Sequence, residues 1–120
     1  MSAASAATEP LFSYGTLRLP AVQRANFGRL LEGRPDTLPG YALASILIDD
    51  PDVVSTSGLA EHLIAQPTGN PADEVAGHLL WLTPQELEAA DRYEVDDYRR
   101  VKARLGSGVD AFVYVDARFP

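Results

Sequence analysis

Five or six stretches of this 120-residue chain carry apolar residues in the manner of strands, whereas only two read as helices. That imbalance constrains the fold more than any other feature. A doubly wound parallel sheet needs a crossover helix for nearly every strand, and the helices are too few. A small α+β domain remains: a mixed, barrel-like sheet flanked by two main helices. Strand candidates are residues 11–14, 41–48, 59–65 and 75–82. Val101, Ala103 and Leu105 alternate with Arg100, Lys102 and Arg104, and Gly106-Ser107-Gly108 then reads as a hairpin loop into residues 111–115.

The first helix is read over 20–31, where Ala21, Val22, Ala25, Phe27, Leu30 and Leu31 form a stripe and Gly33 can serve as C-cap. The second starts at Thr83-Pro84-Gln85-Glu86, a capping box with proline at the first helical position. Leu82 and Leu87 can close a hydrophobic staple across it. Pro39-Gly40 marks a turn, and Asp49-Asp50-Pro51-Asp52 a break in the chain. Residues 1–10 read as a disordered leader, and 11–120 as one domain.

With no cysteine, the chain has no disulfide, thiolate metal site or cysteine nucleophile. A net charge of −7 argues against nucleic acid, whose phosphates require a basic footprint. The start of the chain lacks signal-peptide character, and no run approaches the ~18 apolar residues of a membrane span. The expected setting is the cytoplasm. His62 and His78 lack carboxylates at metal-ligand spacing, and the Asp49–Asp52 cluster lacks loop glycine and EF-hand spacing, so no metal is expected. Gly77, inside a strand, marks a bulge or a close backbone approach.

Two short segments carry chemistry. In Leu11-Phe12-Ser13-Tyr14-Gly15-Thr16-Leu17-Arg18 an apolar strand meets a glycine turn near a helix start. Orphan amides and the positive end of the helix dipole make such a corner an anion cradle. The second segment is Ala90-Asp91-Arg92-Tyr93-Glu94. In a continuous helix Glu94 would lie about 20° around the axis from Leu87, on the face toward the sheet, where desolvation raises a carboxyl pKa. Alternatively the helix ends near Tyr93, and Glu94 joins Asp96 and Asp97 in a solvated acidic run. Tyr14, Tyr98, Arg18 and Gln23 each have a binding and a structural reading.

Phe12-Ser13-Tyr14-Gly15-Thr16-Leu17-Arg18, followed late by Asp91-Arg92-Tyr93-Glu94 and Tyr98-Arg99-Arg100, resembles the γ-glutamylcyclotransferase-like family over about residues 11–116. The family includes γ-glutamylamine cyclotransferases and plant avirulence-induced proteins. The resemblance implies a mixed β-barrel with its pocket at the mouth. It implies a small γ-glutamyl substrate whose α-carboxylate meets the Tyr14, Gly15, Thr16 and Leu17 corner, with Tyr98 close enough in sequence to line the same pocket. Glu94 would be the general acid/base as the α-amine attacks the γ-carbonyl and releases 5-oxoproline, without metal or cofactor. Three features depart from the family's pattern: Val95 replaces a usual glycine, Ala90 a usual leucine, and residues 49–70 lack a Gly/Tyr/Pro-rich loop. They keep a second expectation open, a binding domain for γ-glutamyl or other carboxylates without turnover. Oligomeric state is left unspecified.

Overall fold

The first strand, β1 (Glu9–Ser13), is buried on both faces, as a strand in the middle of a covered sheet must be. The computed structural model describes residues 6–47, 51–57 and 61–119. After β1 come a 3₁₀ turn (Thr16–Arg18), α1 (Pro20–Phe27), β2 (Gly33–Pro39), β3 (Tyr41–Leu47), α2 (Pro51–Ser57) and β4 (Glu61–Pro67). β5 (Glu74–Leu82), α3 (Pro84–Tyr93), β6 (Tyr98–Arg104) and β7 (Asp110–Asp116) complete the described elements.

Five strands form one sheet in the order β2-β5-β1-β7-β6, and β3 and β4 form a separate antiparallel pair. β1 runs antiparallel to β5 and parallel to β7, so the sheet is mixed. Successive β1 residues feed opposite cores. Leu11 packs with Leu17, Val22, Leu82, Ala90 and Tyr93 on the helical side. Phe12 packs with Leu38, Ala65, Val75, Leu79 and Val113 on the other. The α+β class and flanking helices agree with the sequence reading. Among the described residues the strand pairing does not close into a complete barrel; the barrel-like expectation is met by a mixed five-stranded sheet with the β3–β4 pair packed beside β7.

Other boundaries also differ. α1 stops at Phe27 because Gly28, at φ 70, caps it in the left-handed region that glycine adopts most easily, so Gly33 is no cap. Gly33 instead opens β2, a strand hidden from sequence reading by Pro35 and Pro39. Prolines are tolerated there because β2 is an edge strand whose ladder partner is β5 alone. α2 follows the expected break, with Pro51 at its first position. β1 begins two residues inside the expected leader, at Glu9. Residues 1–5 of that leader, residue 48 of the third-strand reading, Asp49 and Asp50 of the break, and residues 59–60 of the fourth-strand reading lie outside the described residues. Among the described residues no helix is long and apolar enough to cross a membrane.

Candidate active site

β1 delivers the chain into the corner and the 3₁₀ turn shapes it. Within that turn the Arg18 amide donates to Gly15 O and the Leu19 amide to Thr16 O. The Thr16 and Leu17 amides, at the start of the turn, lie outside this pattern, as a helical N-terminus dictates. The Arg18 guanidinium folds back onto the corner's carbonyls, with Nη2 2.8 Å from Tyr14 O and Nε 3.2 Å from Gly15 O. It occupies the acceptors of the corner and fixes its shape. Gln23, read as a pocket candidate, is instead a brace: its Nε2 donates to Leu17 O and its Oε1 accepts from the Leu31 amide, both at 2.9 Å.

The other half comes from α3. Thr83 and Glu86 form the reciprocal capping box, with Glu86 N to Thr83 Oγ1 at 3.1 Å and Thr83 N to Glu86 Oε1 at 2.9 Å. The box fixes the helical phase, and Leu87, Ala90 and Tyr93 face the core. The helix then ends. Glu94 is its C-cap in extended conformation, its amide still donating to Ala90 O at 3.0 Å. Of the two readings of this segment, the helix ends at Tyr93, as the alternative has it, rather than running through position 94. Glu94 nevertheless reaches the interior, because the chain turns back toward the sheet there rather than continuing outward. Val95 packs against the helical-side core, which gives the residue after Glu94 a structural task.

The two segments meet. Thr16 Oγ1 and the Tyr93 hydroxyl share a 2.8 Å hydrogen bond across 77 positions of sequence. One cleft is lined by corner residues 13–17, by Glu94, Tyr98 and Tyr114, and by His62 and Leu63 of β4. Its volume is about 20 Å³, room for a single water. Glu94 is partly exposed as a residue, yet its carboxyl is poorly solvated, and that desolvation, with the Asp91 charge second, pushes its pKa from 4.5 up to about 8. Burial likewise raises the pKa of Tyr14, Tyr98 and Tyr114.

Both tyrosines named from sequence have structural partners. The Tyr14 hydroxyl donates to Tyr114 O and accepts from the Ala65 amide at 2.9 Å, joining β1 to β7 and β4. The Tyr98 hydroxyl donates to Leu63 O at 2.7 Å and ties β6 to β4. In the corner, then, the Tyr14 side chain works as a strut, and Gly15, Thr16 and Leu17 line the cleft beside it. His62 and Tyr114 were missed as cleft residues. The alternation His62, Ile64 in β4 could have pointed inward from sequence; nothing local distinguishes Tyr114 from any other strand tyrosine. Among the described residues no trio of His, Asp or Glu is placed to hold a metal ion.

Residues 11–118 match the family described as gamma-glutamyl cyclotransferase, AIG2-like. Two Arabidopsis thaliana proteins known from solution structures have the same fold, each at 23% identity and TM-score 0.68. The first match covers 98% of this chain and 67% of that one; the second covers 100% and 76%. A solved gamma-glutamyl cyclotransferase matches at 15% identity and TM-score 0.66, over 91% of this chain and 66% of its own. No curated protein matches the chain.

Proposed function

The chain belongs to the gamma-glutamyl cyclotransferase, AIG2-like family, and from that premise we propose that it is a cofactor-free cytoplasmic enzyme cyclising a γ-glutamyl amine or amide to 5-oxoproline. One observation carries the reading: a desolvated carboxyl and the glycine corner at the start of the 3₁₀ turn line the same cleft. The substrate's α-carboxylate takes the Thr16 and Leu17 amides. Its α-ammonium then comes to Glu94, and the incoming positive charge favours the ionised carboxylate. Glu94 accepts the ammonium proton, the freed amine attacks the γ-carbonyl to form the new C–N bond, and a tetrahedral oxyanion results. As the old C–N bond breaks, Glu94 hands its proton to the leaving amine; the ring nitrogen then gives its second proton to the freed Glu94 carboxylate, from which it passes to the departed amine or to solvent, leaving a neutral lactam. Nucleophile and electrophile arrive tethered, so the protein has only to fold the substrate and relay the two protons that leave its amine.

The closed cleft sets a condition. A γ-glutamyl group has several times the bulk of the single water that about 20 Å³ admits, so binding opens the β4 side and breaks the Tyr98–Leu63 hydrogen bond. Val95, packed into the helical-side core where the family's usual glycine would stand, favours the second reading, carboxylate binding without turnover. Incubating the protein with a panel of γ-glutamyl amines and γ-glutamyl amino acids and measuring 5-oxoproline by chromatography separates the two. Release supports the enzyme, and calorimetric binding without release supports the binder. Absence of both overturns each.

Gly15 gives a sharper test of the corner. Its φ is −122°, and a Cβ there meets no atom within 4 Å, so the fold does not demand glycine. A close-approaching ligand would. Gly15→Ala should leave the melting temperature within about 1 °C while raising KM by roughly tenfold, the size of a mild steric clash. Unchanged KM in an active variant would remove the corner from substrate binding.

A further inference from the structure

Asp91 sits where helix energetics disfavours it. An acidic side chain in the last turn of α3 opposes the negative end of the macrodipole. Its partners suggest what offsets this. Asp91 Oδ1 accepts from the Tyr114 hydroxyl at 2.6 Å, and Oδ2 lies 3.4 Å from Arg100 Nη1. The ion pair is half exposed and long, worth little by itself. The Tyr114 bond is of another kind. Tyr114 is 6% exposed, and its side of β7 lines the cleft that holds Glu94. An outward-facing carboxylate is thus wired to a buried phenol on the wall of the site. Arg100 behind it is itself held over the Phe112 ring, 4.8 Å from the centroid.

We propose that Asp91 is a positioning residue that sets the pH at which Glu94 exchanges its proton, acting through its own charge one helical turn away and through the Tyr114 hydroxyl it orients. The proposal rests on the reading of Glu94 as proton carrier. The groups around Glu94 leave Asp91 this role. The Tyr14 phenol comes from the corner, Tyr98 from β6, Tyr114 from β7 and the His62 imidazole from β4. Tyr93 precedes Glu94 on α3, and Asp96 and Asp97 follow beyond Val95. Of the neighbouring carboxylates, Asp91 is the one placed to bear on Glu94, in the last turn of α3 before that C-cap and bonded to the Tyr114 hydroxyl. Arg100, on the far side of Asp91, moderates that charge rather than meeting Glu94 itself. The pair therefore forms a graded control: the carboxylate keeps the Glu94 proton on, and the guanidinium limits how strongly.

The test follows the Glu94 carboxyl by ¹³C NMR titration of the unliganded protein, with Glu94→Gln assigning the resonance. Asp91→Asn keeps an acceptor for Tyr114 but removes the charge, and should lower the Glu94 midpoint by roughly half a pH unit or more. Arg100→Gln should raise it. The acid limb of the kcat–pH profile should move in the same two directions. Midpoints unchanged in both variants, whatever happens to their melting temperatures, would overturn the proposal and leave Asp91 as a strut. Absence of turnover in the wild type would instead count against the cyclotransferase reading, while the titration would still decide the role of Asp91.

Discussion

Glu94→Gln should reduce 5-oxoproline release by at least about 10³ in kcat, the upper range for removing a general acid/base. The amide is nearly isosteric and stays in place as the C-cap of α3, so the corner and the cleft should keep their shape. Substrate binding should survive, because on the proposed reading the α-carboxylate would meet the corner amides rather than Glu94. The expected signature is a collapse of kcat with KM changed little. Full turnover by the variant would take Glu94 out of the mechanism.

The same substitution has a readout that needs no substrate. Glu94 titrates near 4.5 when unfolded and near 8 when folded. Between those values the folded state holds a proton that the unfolded chain has lost. Stability from this group is therefore complete below pH 4.5, declines as pH rises, and is lost once pH passes 8. Glutamine does not titrate. The melting temperature of Glu94→Gln minus that of the wild type should be near zero at pH 4.5 and grow through the window to about 5 °C or more by pH 8.5. Partial exposure of the residue keeps the expected gain at the modest end. A difference that stays flat with pH would mean that the carboxyl is solvated after all.

What could be read in the sequence divides by range of interaction. The capping box at Thr83 and Glu86 is chemistry among neighbours, and it appears where four residues place it. Gly28 and Gly33 show the limit. Both are credible caps by type, and the choice was made by Gly33 pairing with Leu80 as β2 zips onto β5, a contact 47 positions away. Pro35 and Pro39 argue against a strand locally; an edge position, known only from the sheet, removes the objection. The meeting of Thr16 with Tyr93 is likewise invisible to periodicity. It entered the sequence reading only through resemblance, because residue order along a chain does not encode which two turns will touch. Each of the two sequence readings of Glu94 holds in part: the helix ends at Tyr93, yet the carboxyl is not a solvated member of the acidic run. Its partial desolvation comes from the way the chain folds back after Tyr93, which no helical wheel represents.

Gly77→Ala should be the most damaging small substitution considered in this chain. Gly77 pairs with Asp36 in β2, and its neighbour His78 faces Ser13, the last residue of β1. A Cβ at position 77 would collide with the Ser13 carbonyl oxygen and stand 2.7 Å from Phe12 Cζ and 3.1 Å from Cε1. Neither neighbour can yield cheaply. The oxygen is backbone, and Phe12, 1% exposed, is wedged in the core. β1 and β5 would have to part where β1 becomes the corner, so strain reaches Tyr14 and Gly15 as well as the sheet. A loss of about 3 kcal/mol, at the upper end for overpacking, is expected in urea unfolding, with a melting temperature lower by roughly 10 °C. At a temperature where the variant remains folded, kcat/KM should still fall more than tenfold, since the amides would no longer meet the carboxylate squarely. Gly15→Ala is the matching opposite, harming binding while sparing stability. If both variants instead lost stability alike, the corner would be a purely structural turn, and the two glycines would share one explanation.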